Sequence, residues 1–151
     1  MPRSVLVLLM ALGLWLFAWL AGLALLDWID ETDFLLGLFT GWGGFLTYAF
    51  VVVASGHSVR MTQTLTAIIG CGALLLLAHV TESVLLRPFV GDRLTDLAAG
   101  LTLLWSIPVE GHIIARAIDR HWYIGILIAV GVFFLQAVVY GRVMTAPAAT
   151  L

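Results

Sequence analysis

Five ionisable side chains lie within long apolar stretches of this sequence, namely His79, Glu82, Glu110, His112 and Arg116. Ionisable groups at membrane depth are costly, and they usually face a bundle interior, where they bind ions, protons or one another. Imidazole and carboxylate groups are also ligands for transition metals. Each of the five is therefore a candidate functional residue, and together they raise the question of a metal site.

The spacing of the two histidines argues against a shared metal or haem site. If their stretches are antiparallel helices, His79 lies about 10 Å, and His112 about 22 Å, from the outer helix ends, at 1.5 Å per residue. Ligands about 2 Å from one ion cannot span the remaining depth of about 12 Å. We therefore expect no metal and no cofactor.

Glu110 continues a helix face that begins with Thr102 and Ser106 at four-residue spacing, whereas His112 points to a different face. Pro108 lacks an amide hydrogen, so it leaves the Leu104 carbonyl without its helical partner and predicts a bend. A bend beside a carboxylate can bind cations or protons, as a transporter requires. In the simpler interpretation, which we favour here, Glu110 hydrogen-bonds to Ser or Thr hydroxyls within the bundle.

The remaining candidates have structural interpretations as well. His79 and Glu82 share one side of their predicted helix, and we expect Glu82 to pair with Arg87 or Arg93. Arg116 lies about one turn inside the end of its helix, from which its side chain can extend to water and set the depth of the helix.

The composition of this chain predicts that lipid surrounds most of it. Of its 151 residues, 62% are hydrophobic and only 11% are charged, with a mean hydropathy of +1.11. A soluble domain carries about a quarter charged residues. The lipid bilayer is therefore the expected partner, and a net charge of −2 makes nucleic acid a poor one. Cys71, the single cysteine, excludes an intramolecular disulfide.

Five apolar segments are long enough to cross a bilayer, since a spanning helix needs roughly 20 residues. The predicted spans are residues 4–26, 34–54, 64–86, 97–118 and 122–144. They predict one all-α transmembrane bundle in which successive helices are antiparallel neighbours. The first segment also has features of a secretory signal, but its length favours an uncleaved span. Cleavage would leave four spans.

The arginines predict the orientation, because basic residues favour the cytoplasmic side. With the N-terminus inside, the cytoplasmic arginines are Arg3, Arg60, Arg116 and Arg120, and the outer ones are Arg87, Arg93 and Arg142. The outer loops then hold six acidic residues, Asp27, Asp30, Glu31, Asp33, Asp92 and Asp96, against Asp119 inside. We expect a multi-pass protein of a bacterial cytoplasmic membrane with a cytoplasmic N-terminus.

Two motifs resemble the small bacterial members of the Yip-like family of membrane proteins. The sequence QTLTAIIG (residues 63–70) resembles the Gln-Thr-x-Thr-Ala run that opens the family's third span. The sequence LLWSIPVEGHIIARA (residues 103–117) resembles the family's Leu-Trp-Ser…Gly-His-Ile-x-Arg-x-Ala pattern in the fourth span. The resemblance covers roughly residues 40–145 and departs from the pattern at Pro108 and Glu110. It implies five spans and no enzyme chemistry, because eukaryotic relatives bind small GTPases and one another in vesicle traffic.

The sequence supports two functional hypotheses. It has no phosphate loop, nucleophile elbow or zinc-protease motif, so the first hypothesis is a non-enzymatic protein that acts through contacts with other membrane proteins, a second copy of itself or lipids. The alternative is a small transporter or proton-coupled channel subunit that uses Glu110 beside the Pro108 bend.

Overall fold

Helices form all the long apolar stretches in the computed structural model, which describes residues 5–26 and 31–144, with side chains for residues 5–26 and 35–142. The helices are α1 (Val5–Leu25), α2 (Glu31–Ala54), α3 (Met61–Leu85), α4 (Arg87–Val90), α5 (Asp92–Ala117) and α6 (Trp122–Met144). Five of these, all but the short α4, are long and apolar enough to cross a membrane. This result confirms the predicted all-α bundle with five spans.

Several helices are longer than the apolar segments that predict them. Helix α2 begins at Glu31, α3 at Met61 and α5 at Asp92, each several residues before the corresponding predicted span. Hydropathy marks only the part that crosses hydrocarbon, whereas helical hydrogen bonding continues into polar sequence at the interface. Arg3, Asp27 and Asp30, and the side chains of Glu31 and Asp33, lie outside the described residues.

Two left-handed residues end α2 and α5 at the same end of the bundle. Gly56, at φ +80°, follows α2, and the amide of His57 donates to the Val52 carbonyl at 3.1 Å. Asp119, at φ +50°, follows α5, and the amide of Arg120 donates to the Ala115 carbonyl at 2.9 Å. Both patterns are those of a Schellman motif, which satisfies the last helix carbonyls. We call this end of the bundle, with residues 55–60 and 118–121, the Asp119 end.

The opposite end of the bundle contains a helical turn that hydropathy does not predict. Helix α4 begins with Arg87 and Pro88, and proline is well suited to the first turn of a helix. Gly91, at φ +80°, ends α4 and precedes α5 directly. We call this end, with residues 86–91, the Gly91 end.

The order of packing differs from the order along the chain. Helix α1 packs mainly against α3, and its tryptophan side chains also contact α2, so the first two spans are neighbours although α3 provides the larger contact of α1. Helices α3 and α5 pack together, α6 packs on α5, and α2 contacts both α6 and α3. Helices α2, α3, α5 and α6 therefore form a ring, with α1 outside it.

Tryptophan rings fill the space that glycines leave on α2. A β-carbon at Gly37 would overlap the Trp19 ring, and one at Gly41 would lie 2.7 Å from Trp15 Cζ2. The Trp15 ring is buried and meets Phe45 edge-on, with 5.1 Å between ring centroids. Small residues allow such close approach in lipid, where packing rather than hydrophobicity holds helices together.

A continuous apolar core closes the Asp119 half of the ring. Its buried members come from four helices and the loop after α5: Tyr48, Val52, Ile68, Ile114, Ala117, Ile118 and Val132. The outward faces are equally apolar, with Leu46 and Leu127 each 67% exposed. A protein that is apolar on both its inner and outer faces suits a lipid environment.

Candidate functional site

Glu110 on α5 forms a hydrogen bond across the ring to α2. The Tyr48 hydroxyl donates to Glu110 Oε2 at 2.5 Å, and only 2% of Tyr48 is exposed. Tyr48 lies six residues before the end of α2 and Glu110 seven before the end of α5, so both lie about 10 Å from the Asp119 end at 1.5 Å per residue. The prediction that a Ser or Thr hydroxyl donates to Glu110 is therefore wrong, because the donor is a tyrosine on another helix.

Helix α5, which carries Glu110, approaches α6 closely on the Asp119 side of this carboxylate. A β-carbon added to Gly111 would lie 2.8 Å from the Ile126 Cα atom. One added to Gly125 would overlap the Gly111 carbonyl oxygen and lie 2.7 Å from the Ala115 Cβ atom. Backbones can approach this closely only where both residues lack side chains. Helix α5 remains helical through Pro108, which lies about one turn from this crossing toward the Gly91 end.

A cavity of about 770 Å³ lies within the ring on the Gly91 side of Glu110, and the ring of Trp19 from α1 also lines it, beside Gly37 of α2. Its lining includes apolar side chains and rings, such as those of Trp19, Leu76, Leu103, Ile107, Phe133 and Tyr140. We call this space the central cavity. Its volume falls within the range of about 300–1,000 Å³ that is typical of small-molecule sites.

A few polar side chains line the central cavity as well. Thr102, Ser106 and Glu110 all contribute to it, which agrees with the single helix face predicted from their four-residue spacing. Gln136 of α6 lines it and donates through Nε2 to the Thr40 carbonyl of α2 at 3.0 Å. A mainly apolar cavity with a few convergent polar groups is the usual form of a ligand site.

The structure brings two of the five candidate residues to the central cavity. His79 of α3 and Glu110 of α5 both line it. His112 and Arg116 are exposed on the outside of α5. His79 and His112 therefore lie at separate places, in agreement with the different depths predicted for them.

Glu82 has a different partner from the one that the sequence predicts. The Thr102 hydroxyl of α5 donates to Glu82 at 2.8 Å from Oε1 and 3.0 Å from Oε2. Arg87, one of its two expected partners, instead lies 3.4 Å from Asp92 and 3.3 Å from Asp96. The chain turns back at α4 and brings these acids to Arg87, whereas Glu82 lies on the side of α3 that packs against α5. Glu82 thus joins two helices.

A charged cluster at the Asp119 end was not identified from the sequence. Arg60 Nη1 lies 2.8 Å from Asp119 Oδ1 and donates to the Arg116 carbonyl at 3.3 Å, while His57 Nε2 lies 3.4 Å from Asp119 Oδ2. The hydrogen bond from Arg60 holds the pKa of Asp119 below its ordinary value of 3.8. The cluster ties the loop between α2 and α3 to the loop between α5 and α6. Opposite charges in two loops on the same predicted side were the available signal.

Among the described residues, no group of three or more His, Cys, Asp or Glu side chains could hold a metal ion. No family model matches the chain, and no curated protein or solved structure matches it. The features of this chain that bear on its function are the central cavity, the Tyr48–Glu110 pair and the exposed side chains of α5.

Proposed function

We propose that this protein is a small membrane transporter that binds a solute in the central cavity and exchanges it for a proton on Glu110. The observation that carries the proposal is the Glu110 carboxylate, which lines a cavity of about 770 Å³ deep within a span and accepts a hydrogen bond from Tyr48. This geometry favours the transporter hypothesis over the contact hypothesis that the sequence alone favours.

The position of Glu110 supports an exchange role. A carboxylate inside a membrane is expensive, and such groups occur chiefly in ion and proton pathways. If Glu110 served only to join α5 to α2, no cavity would be required beside its carboxylate. Glu110 Oε2 accepts from Tyr48, whereas Oε1 receives no hydrogen bond from any described residue. One carboxylate oxygen is therefore held in place while the other remains for a proton or a solute.

The two halves of the bundle differ as alternating access requires. The central cavity extends from Glu110 toward the Gly91 end, where Ala99 and Gly141 line it. On the other side of Glu110, the buried core and the close crossing of α5 and α6 fill the bundle. The cluster of Arg60, His57 and Asp119 then joins the loops across that closed half. In this proposal, a solute enters from the Gly91 side, and release requires the Asp119 end to open.

Liposomes that contain the full chain and a pH-sensitive dye test the proposal. Organic amines, inorganic cations, organic anions and sugars are added outside, and the internal pH is followed. Wild type is expected to show a solute-dependent pH change that Glu110→Gln abolishes. Asp92→Asn removes one carboxylate from the exposed start of the same helix and is expected to behave as wild type. If no solute class produces a larger pH change with wild type than with Glu110→Gln, the transport proposal fails.

A second function, contact with another membrane protein, is favoured by the outer face of α5. His112 is exposed within the span, and Trp105, on the same face, is 66% exposed. A polar ring that faces hydrocarbon is unfavourable unless a neighbour covers it. The resemblance to the Yip-like family supports the same non-enzymatic role, with another protein, a second copy or a lipid headgroup as the neighbour.

Native mass spectrometry of the gently solubilised protein tests this second function. A stable second protein, or a dimer, that is lost on His112→Leu would support it. The control is Leu101→Ala, which changes an exposed residue of α5 that is not polar. If the wild-type protein is a bare monomer that carries neither protein nor lipid, the contact proposal fails.

We further propose that the protein resides in a bacterial cytoplasmic membrane with the Asp119 end in the cytoplasm. Arg60, Arg116 and Arg120 all lie at or near that end, and basic residues favour the cytoplasmic side. Ion pairs with acids offset the positive charge of Arg87 at the Gly91 end. The solute in this orientation enters from outside the cell.

A further inference from the structure

The charges that line the central cavity specify the sign of its ligand. Glu110 is its one carboxylate among the described residues, and no Arg or Lys side chain of those residues lines it. The imidazole of His79 also lines it. The site can therefore neutralise one positive charge, whereas an anion would meet a carboxylate without a fixed counter-charge.

The walls of the central cavity specify the chemistry of the rest of the ligand. Rings of Trp19, Phe133 and Tyr140 line it together with aliphatic side chains. The faces of aromatic rings attract organic cations, most strongly where water is excluded. Apolar walls cannot replace the hydration shell of an inorganic cation, which would require several oxygen ligands. They suit a cation whose charge is surrounded by hydrocarbon.

We propose that the central cavity binds a lipophilic organic cation of single charge, such as a protonated amine or an onium ion with aromatic or alkyl groups. The Glu110 carboxylate pairs with the charge, the rings of α1 and α6 contact the hydrocarbon, and Gln136 and Ser106 provide adaptable polar contacts. This inference rests on the proposed transport function for the movement of the cation, but binding itself requires only the cavity.

The size of the cavity agrees with this class of ligand. A volume of about 770 Å³ accommodates a molecule of drug size rather than a single ion, since such sites occupy about 300–1,000 Å³. Helix α5 presents Thr102, Ser106 and Glu110 along one face, whereas the other walls are mainly apolar and include the polar side chains of Thr40, His79 and Gln136. A ligand with one charged centre and bulky apolar groups fits this division.

Two probes of equal shape and opposite charge test the inference. Tetraphenylphosphonium and tetraphenylborate have four phenyl groups around a single charged atom. Binding of each to the detergent-solubilised full chain is measured by equilibrium dialysis. The phosphonium is expected to bind saturably, and the borate at least about tenfold more weakly, because one buried charge contact of modest strength changes affinity by about that factor.

Variants locate the binding in the central cavity. Glu110→Gln is expected to weaken phosphonium binding at least about tenfold, and Asp92→Asn to leave it unchanged. Ala137→Phe keeps the carboxylate but fills the cavity, so it is expected to abolish binding even if Glu110→Gln fails to fold. Equal binding of the two probes, or wild-type affinity in a folded Ala137→Phe variant, would overturn the inference.

The same probes separate this inference from the transport proposal. Phosphonium binding without any solute-dependent pH change in liposomes supports the cation site and contradicts transport. A pH change with a sugar or an anion, together with no phosphonium binding, supports transport and overturns the cation site. If the protein shows no phosphonium binding and no solute-dependent pH change, both proposals are contradicted.

Discussion

At the scale of single residues, the chemistry of this molecule depends on which partner each buried polar group finds. Tyr48 lies within the apolar core of the Asp119 half, and its hydroxyl reaches Glu110, 62 positions further along the chain. An unsatisfied hydroxyl or carboxylate within hydrocarbon would cost more than the bond returns. The pair therefore fixes α2 against α5 at a residue that also lines the central cavity.

The Tyr48–Glu110 bond should be measurable as a coupling energy. Tyr48→Phe is expected to lower the free energy of unfolding by about 0.6 kcal/mol, the average for hydrogen bonds between membrane helices, and by no more than about 1.7 kcal/mol. The measurement is unfolding in mixed micelles, repeated in a Glu110→Gln background. We expect Tyr48→Phe to cost less there, because its acceptor is already altered. Equal costs in both backgrounds would mean that the bond adds nothing to stability.

The ion pair of Asp119 should contribute stability that depends on pH. The hydrogen bond from Arg60, together with His57, keeps the pKa of Asp119 below 3.8 in the folded protein. A group with a lowered folded pKa stabilises above its unfolded pKa, and that contribution is lost as the pH falls through the folded value. The ion pair between Arg60 and Asp119 should thus persist at neutral pH and be lost only as the pH falls below the ordinary pKa of Asp119.

Nuclear magnetic resonance of the Asp119 carboxyl carbon in micelles measures this titration. The midpoint is expected below 3.8 in wild type and closer to that ordinary value in Arg60→Gln, which removes the donor. Asp119→Asn, which tolerates the left-handed backbone, is the control that removes the signal. A wild-type midpoint at or above 3.8 would contradict the ion pair.

At the scale of helices, the two halves of the ring depend on how closely α5 and α6 cross. Gly111 and Gly125 bring the two backbones together at the Asp119 half, so the helices can separate toward the Gly91 end, where the central cavity lies. The crossing point is therefore the element that both seals one half and leaves space in the other. A side chain at this point should disturb both.

Gly111→Ala tests that dependence. The added β-carbon would lie 2.8 Å from the Ile126 Cα atom, and backbone atoms cannot move aside as a flexible side chain can. We expect a loss of about 1–3 kcal/mol in the free energy of unfolding, as for other overpacked sites. Gly131→Ala is the matched control on α6, because nothing lies within 4 Å of its β-carbon. Equal stability of Gly111→Ala and Gly131→Ala would contradict the close crossing.

Helix-scale features also show how far the sequence predicts the fold. The five spans follow from local hydropathy, because each spanning helix satisfies its own backbone and must present apolar side chains to lipid. Thr102, Ser106 and Glu110 share a face because helical periodicity is local too. The packing of α1 on α3, the Tyr48 partner of Glu110 and the Thr102 partner of Glu82 were not predicted. These contacts depend on which helices meet, and apolar surfaces that look alike do not specify that choice.

At the scale of the whole molecule, the bundle has a closed, charged end and an end toward which the central cavity extends. The closed end holds Arg60 and Asp119, and the cavity extends from Glu110 toward Ala99 and Gly141. If the Asp119 end is cytoplasmic, this arrangement takes up its ligand from outside. The orientation therefore decides the direction in which the proposed transporter is loaded.

Single cysteines at the two ends determine the orientation. In a Cys71→Ala background, Ser58→Cys places a thiol at the exposed Asp119 end, and Phe89→Cys places one at the Gly91 end, where the native side chain is 85% exposed. Neither change alters a charge, so the distribution of arginines that sets the topology is preserved. A membrane-impermeant maleimide is expected to label Phe89→Cys in intact cells and Ser58→Cys only after the membrane is broken. Detergent-solubilised samples provide the control for full reactivity of both thiols. The reverse labelling pattern would place the Asp119 end outside, and the central cavity would then load from the cytoplasm, as an exporter of lipophilic cations requires.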